Sequence, residues 1–129
     1  PRMVYMKMNF VNLMYLAIGV FGIFLAIRYF NGGIGAVDKK EVISYIKDGA
    51  LIVDVRTGEE FASGHYANAK NIPVDQVESR LKEFGDKDRK IVVYCRSGGR
   101  SSKAKGILEA NGFKNIVNGG GLSDMPEVK

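Results

Sequence analysis

The chain has 129 residues, enough for one compact domain and an appendage but not for a two-domain enzyme. It is 46% hydrophobic and 26% charged, with 16 Gly and 3 Pro, which excludes disordered, collagen-like and disulfide-stapled classes. The net charge of +5 would suit nucleic acid or an anionic surface, but its distribution argues against a nucleic-acid partner: from Asp38 onward 16 basic residues face 14 acidic ones, and the other three cations, Arg2, Lys7 and Arg28, bracket an apolar stretch.

That stretch comes first in the chain. Met8 to Ile27 is a run of 20 residues without a formal charge, which as a helix would span about 30 Å, the thickness of a bilayer's hydrocarbon core. Tyr5, Tyr15, Tyr29 and Phe30 supply aromatic residues, some of them near the ends, and Gly19 and Gly22 are tolerated in a membrane span. The expectation is a single-pass membrane anchor over residues 1–30, with residues 8–27 in the membrane. A cleaved signal peptide, with Ile34-Gly35-Ala36 as a poor cleavage site, has a usual apolar length of about 7 to 15 residues, shorter than this run. Arg28, Lys39 and Lys40 after the run outnumber Arg2 and Lys7 before it, a weak bias of the following domain toward the cytoplasm. Asn31-Gly32-Gly33 opens a flexible link over residues 31–37, and the folded domain takes residues 38–129.

From there helical and strand patterns alternate, as in a parallel sheet with helices on both faces. Asp38 with Glu41 has the spacing of a capping box, Val42, Ile43 and Ile46 form an apolar stripe, and Gly49 stops the helix. Ala50 to Val55 reads as a buried strand. A short helix over Glu59–Ala62 and a brief strand at Asn71-Ile72 follow, and Pro73 ends the strand. Val74, Val77, Leu81 and Phe84 predict a second amphipathic helix up to Gly85, and Lys90–Tyr94 is the strongest strand. A helix over Ser101–Ala110 and a strand over Asn115–Asn118 complete a sheet of about four to five strands.

Cys95 is the only cysteine, so it forms no internal disulfide and no zinc site of its own; no metal or other cofactor is implied. It stands at the carboxyl end of a strand, before a helix, where open α/β sheets place their sites. In Cys95-Arg96-Ser97-Gly98-Gly99-Arg100, the glycines permit a cradle of N–H groups, the following helix adds a positive end, and two arginines flank the sulfur. All of these favour a nucleophilic thiolate over inert packing. Ser97 and Ser101 could bond a bound anion or cap the helix, with capping the simpler role. His65, the only histidine, reads as a hydrogen-bonding brace rather than a base, since a thiolate needs none.

Asp54-Val55-Arg56, Glu59-Glu60-Phe61, Gly64-His65, Asn71-Ile72-Pro73 and Tyr94 to Ser101 follow in an order that resembles the rhodanese-like sulfurtransferases, across Ile34 to Met125. The ending Asn118 to Pro126 is similar to that of small phage-shock-type rhodaneses, which are exported, a weak bias toward the periplasm that opposes the weak cytoplasmic bias of the charges and leaves the side of the domain open. The resemblance implies an α/β rhodanese-like fold in which Cys95 carries a persulfide. It also implies a substrate-binding loop of Arg96, Ser97, Gly98, Gly99, Arg100 and Ser101, with Asp54, Arg56 and His65 supporting it. Sulfur would pass from thiosulfate or polysulfide to cyanide, a small thiol or a protein thiol. Two departures, Tyr66-Ala67-Asn68-Ala69 in place of Ile-Pro-Gly-Ala and no Trp after the late glycines, bear on the substrate surroundings. Two other readings are a membrane-tethered persulfide carrier or sensor and a phosphatase or arsenate reductase. The latter would place five residues between Cys and Arg, where this chain has four.

Overall fold

A computed structural model describes residues 9–33 and 37–127, with side chains described for 9–25 and 37–127. The chain divides into two units, one ending at Gly33 and one beginning at Ile34. The first contains helix α1 (Phe10–Gly33), which begins beside Asn9, whose side chain accepts the Asn12 N–H at 2.9 Å. Its large apolar side chains are exposed from Phe10 to Leu25. Among the described residues no helix is long and apolar enough to cross a membrane, so the structure gives no support to the span expected over residues 8–27, of which Met8 and the side chains of Ala26 and Ile27 lie outside the described residues. Asn31–Gly33, expected to open a flexible link, continue α1 as its last residues, at the C-terminal end where glycine is common. The expectations that rest on Arg2, Tyr5, Lys7, Met8, residues 34–36 and the side chains of Arg28, Tyr29 and Phe30 lie outside the described residues.

In the second unit, β1 (Leu51–Asp54), β2 (Lys70–Asn71), β3 (Ile91–Cys95) and β4 (Ile116–Gly121) form one parallel sheet in the order β2-β1-β3-β4. Every residue of the central strand β3 is buried, as expected for a strand covered on both faces. Alternation along the strands sends Val53, Val93 and Cys95 to one face, under Ala104 and Leu108 of helix α4 (Gly99–Ala110) and Phe84. Ile52, Val92 and Tyr94 go to the other face, under Val42 of helix α2 (Lys39–Lys47). Each such buried aliphatic or aromatic side chain contributes roughly 1.5 to 3 kcal/mol. The two faces place Cys95 at the end of the sheet toward α4.

Asp38 caps α2 by accepting the N–H groups of Lys40 and Glu41 at 3.1 and 3.3 Å, without the reciprocal Glu41 bond that a full box would add. The complete box is at helix α3 (Gly58–Ala62), where Thr57 and Glu60 bond each other's backbone. The amphipathic helix expected over residues 74–84 is instead two 3-10 segments, Val74–Gln76 and Glu78–Phe84, with Arg80 out of helical geometry at φ −119° and ψ 27°. The spacing of three from Val74 to Val77 and from Leu81 to Phe84 suits a three-residue turn, and Val77 and Phe84 are still fully buried. β4 extends beyond Asn118 through three glycines that alternation could not reveal.

Candidate active site

The bond that defines the cysteine loop runs from the Gly98 N–H to Cys95 Sγ, at 2.9 Å. It exists because Gly98 turns left-handed, at φ 99°, and brings the chain back over the sulfur just before α4 begins. Opposite, a register shift between Val93 and Cys95 pairs Cys95 with Gly121. A Cβ on Gly121 would lie 2.3 Å from the Arg96 carbonyl oxygen, so only glycine lets β4 approach the loop this closely.

Cys95 is 1% exposed. Burial pushes its pKa up, but the Ser101 hydroxyl and the N–H groups of Ser101, Ser97 and Gly98 outweigh burial and hold it below the usual thiol value. The cradle and the helix end both act in that direction. Ser101 does not cap α4, whose capping residue is Gly98, with no side-chain cap. Its buried hydroxyl lies 3.3 Å from Sγ, 3.0 Å from the Gly98 carbonyl and 2.7 Å from Asn118 Oδ1. Asn118 in turn accepts the Gly120 N–H and donates to the Gly98 carbonyl, tying the end of β4 to the loop. Ser97 is exposed and acts on the sulfur through its backbone, and Gly99 opens α4 with nothing close to where a Cβ would stand.

Below the loop, Asp54 at the end of β1 accepts two bonds from Arg56 Nε, one from Arg56 Nη2 at 2.7 Å and one from the Tyr94 hydroxyl at 2.8 Å. Arg56 Nη2 also donates to the Gly64 carbonyl, and the Tyr94 hydroxyl accepts the Tyr66 N–H. Burial and the Asp54 carboxylate push the Tyr94 phenol up to about 12, against the Tyr66 N–H, so it stays protonated and donates. His65 lies one turn beyond α3, stacked on Phe61 at 3.7 Å with Nδ1 2.9 Å from the Phe61 carbonyl, a brace of its own turn. Asn68, where the family resemblance has glycine, takes the left-handed angle at φ 63° that asparagine tolerates.

The two loop arginines differ. Arg100 is held by Glu60 in a two-pronged pair at 2.6 and 2.9 Å, so it is not the free cation the sequence suggests. Arg96 is exposed and lines a cleft beside the loop with Arg56, Glu60, Ser63, Leu122 and Ser123. Glu60, Asn118 and Tyr94 were not among the residues singled out for the site. Tyr94 and Asn118 open motifs that carry the family resemblance, and Glu60 left the Thr57-x-x-Glu60 spacing of a capping box, but none of these signals gave a role at the sulfur. Among the described residues no group of His, Cys, Asp and Glu could hold a metal ion.

Comparison with known proteins places the chain in context. A family model described as a rhodanese-like domain matches residues 38–124. The thiosulfate sulfurtransferase PspE of Escherichia coli (strain K12) is 40% identical over 80 residues, covering 60% of this chain and 77% of that protein. A tRNA uridine(34) hydroxylase of Sodalis glossinidius is 38% identical over 96 residues, covering 67% of this chain but only 27% of that longer protein. Among solved structures, a rhodanese with anions from E. coli is 38% identical with a TM-score of 0.57, covering 62% of this chain and 98% of that one.

Proposed function

The chain belongs to the rhodanese-like domain family and is a rhodanese-type sulfurtransferase, and from that premise we propose that it carries sulfane sulfur on Cys95. The Cys95 thiolate attacks the outer sulfur of thiosulfate; a bond forms between Sγ and that sulfur, the bond to the sulfonate sulfur breaks, and sulfite leaves with the electron pair. The persulfide anion then lies against the loop whose N–H groups at residues 97, 98 and 101 already face Sγ. A thiolate or cyanide attacks the terminal sulfur, takes it away and returns the Cys95 thiolate. Polysulfide would load the same atom, releasing the shortened chain.

The carrying observation is the 2.9 Å bond from Gly98 to Sγ in a site that lowers the thiol pKa despite burial. Mass spectrometry of the intact protein after thiosulfate or polysulfide should give a gain of one sulfur atom, lost in Cys95→Ser. An equal gain in the variant contradicts the assignment. The phosphatase reading is disfavoured because the Arg100 guanidinium is bound to Glu60 rather than free for a phosphoryl group.

A second reading, a persulfide carrier or sensor discharged by one partner protein and only slowly by cyanide, is motivated by the uncharged apolar run from Met8 to Ile27. A membrane tether through α1 belongs to the same proposal. Its support is the exposure of apolar side chains from Phe10 to Leu25 and an uncharged run that continues to Ile27.

A further inference from the structure

Three arginines surround the cysteine loop and its cleft, and two of them are neutralised. Arg56 is paired with buried Asp54, and Arg100 is bound at both nitrogens by Glu60. Arg96 is exposed, with no carboxylate partner among the described residues. The mouth of the site therefore carries about one uncompensated positive charge rather than two. Resting on the sulfurtransferase reading above, we propose that Glu60 is a specificity residue that cancels the charge of Arg100 and so biases Cys95 toward singly charged sulfane donors over dianions.

Four observations support this. Glu60 lines the cleft together with Arg96, so its charge lies close to the path of a donor that enters there. Its hydrogen bonds to Arg100 lower its pKa to about 2, so it is ionised wherever the enzyme would work. The Thr57 capping box fixes its backbone and directs its side chain. Arg100 in turn feels the charge of Cys95, which puts it within electrostatic range of the reacting sulfur. A dianion gains about twice as much as a monoanion from each added positive charge, so removing Glu60's charge must change the ratio between donors and not only the overall rate.

Two donors of nearly the same shape separate the terms: thiosulfate, a dianion, and methanethiosulfonate, which has a methyl group in place of one anionic oxygen and is a monoanion. Each reaction forms the bond from Sγ to the outer sulfur and breaks its bond to the oxidised sulfur. Sulfite leaves thiosulfate, and methanesulfinate leaves methanethiosulfonate, each with the electron pair. The second-order rate of sulfur gain by Cys95 is measured with both donors in the full chain, in Glu60→Gln and in Glu60→Gln/Arg100→Gln. Glutamine at this position still serves the capping box.

The thiosulfate to methanethiosulfonate ratio should rise about five-fold in Glu60→Gln at low ionic strength, shrink toward the parent value in high salt, and return near the parent value in the double variant. The proposal is overturned by an unchanged or lower ratio in Glu60→Gln, by a rise that survives in the double variant or in high salt, or by loss of sulfur gain with both donors in Glu60→Gln, which would make Glu60 a brace. Failure of the parent to gain sulfur from either donor would instead overturn the sulfurtransferase reading on which this rests.

Discussion

Ser101 has one hydroxyl proton and three acceptors around it: Cys95 Sγ, the Gly98 carbonyl and Asn118 Oδ1. Against a neutral thiol the proton goes to the better oxygen acceptors, and the S–H can donate to Oγ. Against a thiolate the hydroxyl gains more by turning to sulfur, because bonds to charged groups are stronger. The Gly98 carbonyl is then left with the Asn118 amide, and Asn118 Oδ1 with the Gly120 N–H. Ser101 thus stabilises the charged form preferentially, which is what lowers a pKa. Ser101→Ala should raise the midpoint of Cys95 alkylation by about one pH unit while leaving the N–H cradle in place, as read by alkylation rate against pH. An unshifted midpoint would assign the effect to the backbone alone. Cys95 and the glycines beside it were legible in the sequence because their chemistry is local. The role of Ser101 was not, since α4 begins three residues earlier than its capping reading requires, and its partner Asn118 is 17 residues away.

At the scale of elements, the loop depends on β1 as much as on β3. Asp54 and Arg56 lie at the end of β1, and their 2.7 Å pair, almost wholly buried, also holds Tyr94 of β3 and the Gly64 carbonyl. Removing the cation leaves a buried carboxylate with little to offset its lost hydration. Arg56→Ala should lower stability by roughly 3 to 5 kcal/mol, measured by denaturant unfolding at neutral pH, whereas a loss below about 1 kcal/mol would mean that the pair contributes little. Strands β1 and β3 were predictable from apolar runs, and Cys95 fell where expected, whereas β2 is Lys70–Asn71, one residue before the strand expected at Asn71-Ile72. Two other elements were not predictable in this way. The segment from Val74 to Phe84 has an apolar spacing shared by α and 3-10 turns, and only its packing against the sheet decides between them. The glycines of β4 have no side chains to alternate, so their place in the sheet comes from the close approach of Gly121 to the Arg96 carbonyl.

For the whole molecule, charge is divided between a nearly balanced domain and an N-terminal stretch whose cations bracket an apolar run. A membrane tether through that run predicts that the full chain sediments with membranes and is released by detergent but not by high salt or alkaline wash; release by salt alone would make the association peripheral or absent. Protease access in sealed cells then reports which side holds the domain. The catalytic account depends on the sulfur itself, which burial should suppress and which the loop's N–H groups and Ser101 should ionise. If the folded protein holds the thiolate, its proton is released at lower pH than from the unfolded chain, and alkylation rises with pH through a midpoint below that of an ordinary thiol, about 8.5. The direct measurement is the ultraviolet absorbance of the Cys95 thiolate against pH, with Cys95→Ser subtracted: a midpoint clearly below that of an ordinary thiol, about 8.5, is the predicted result, and a midpoint at or above it would contradict the account.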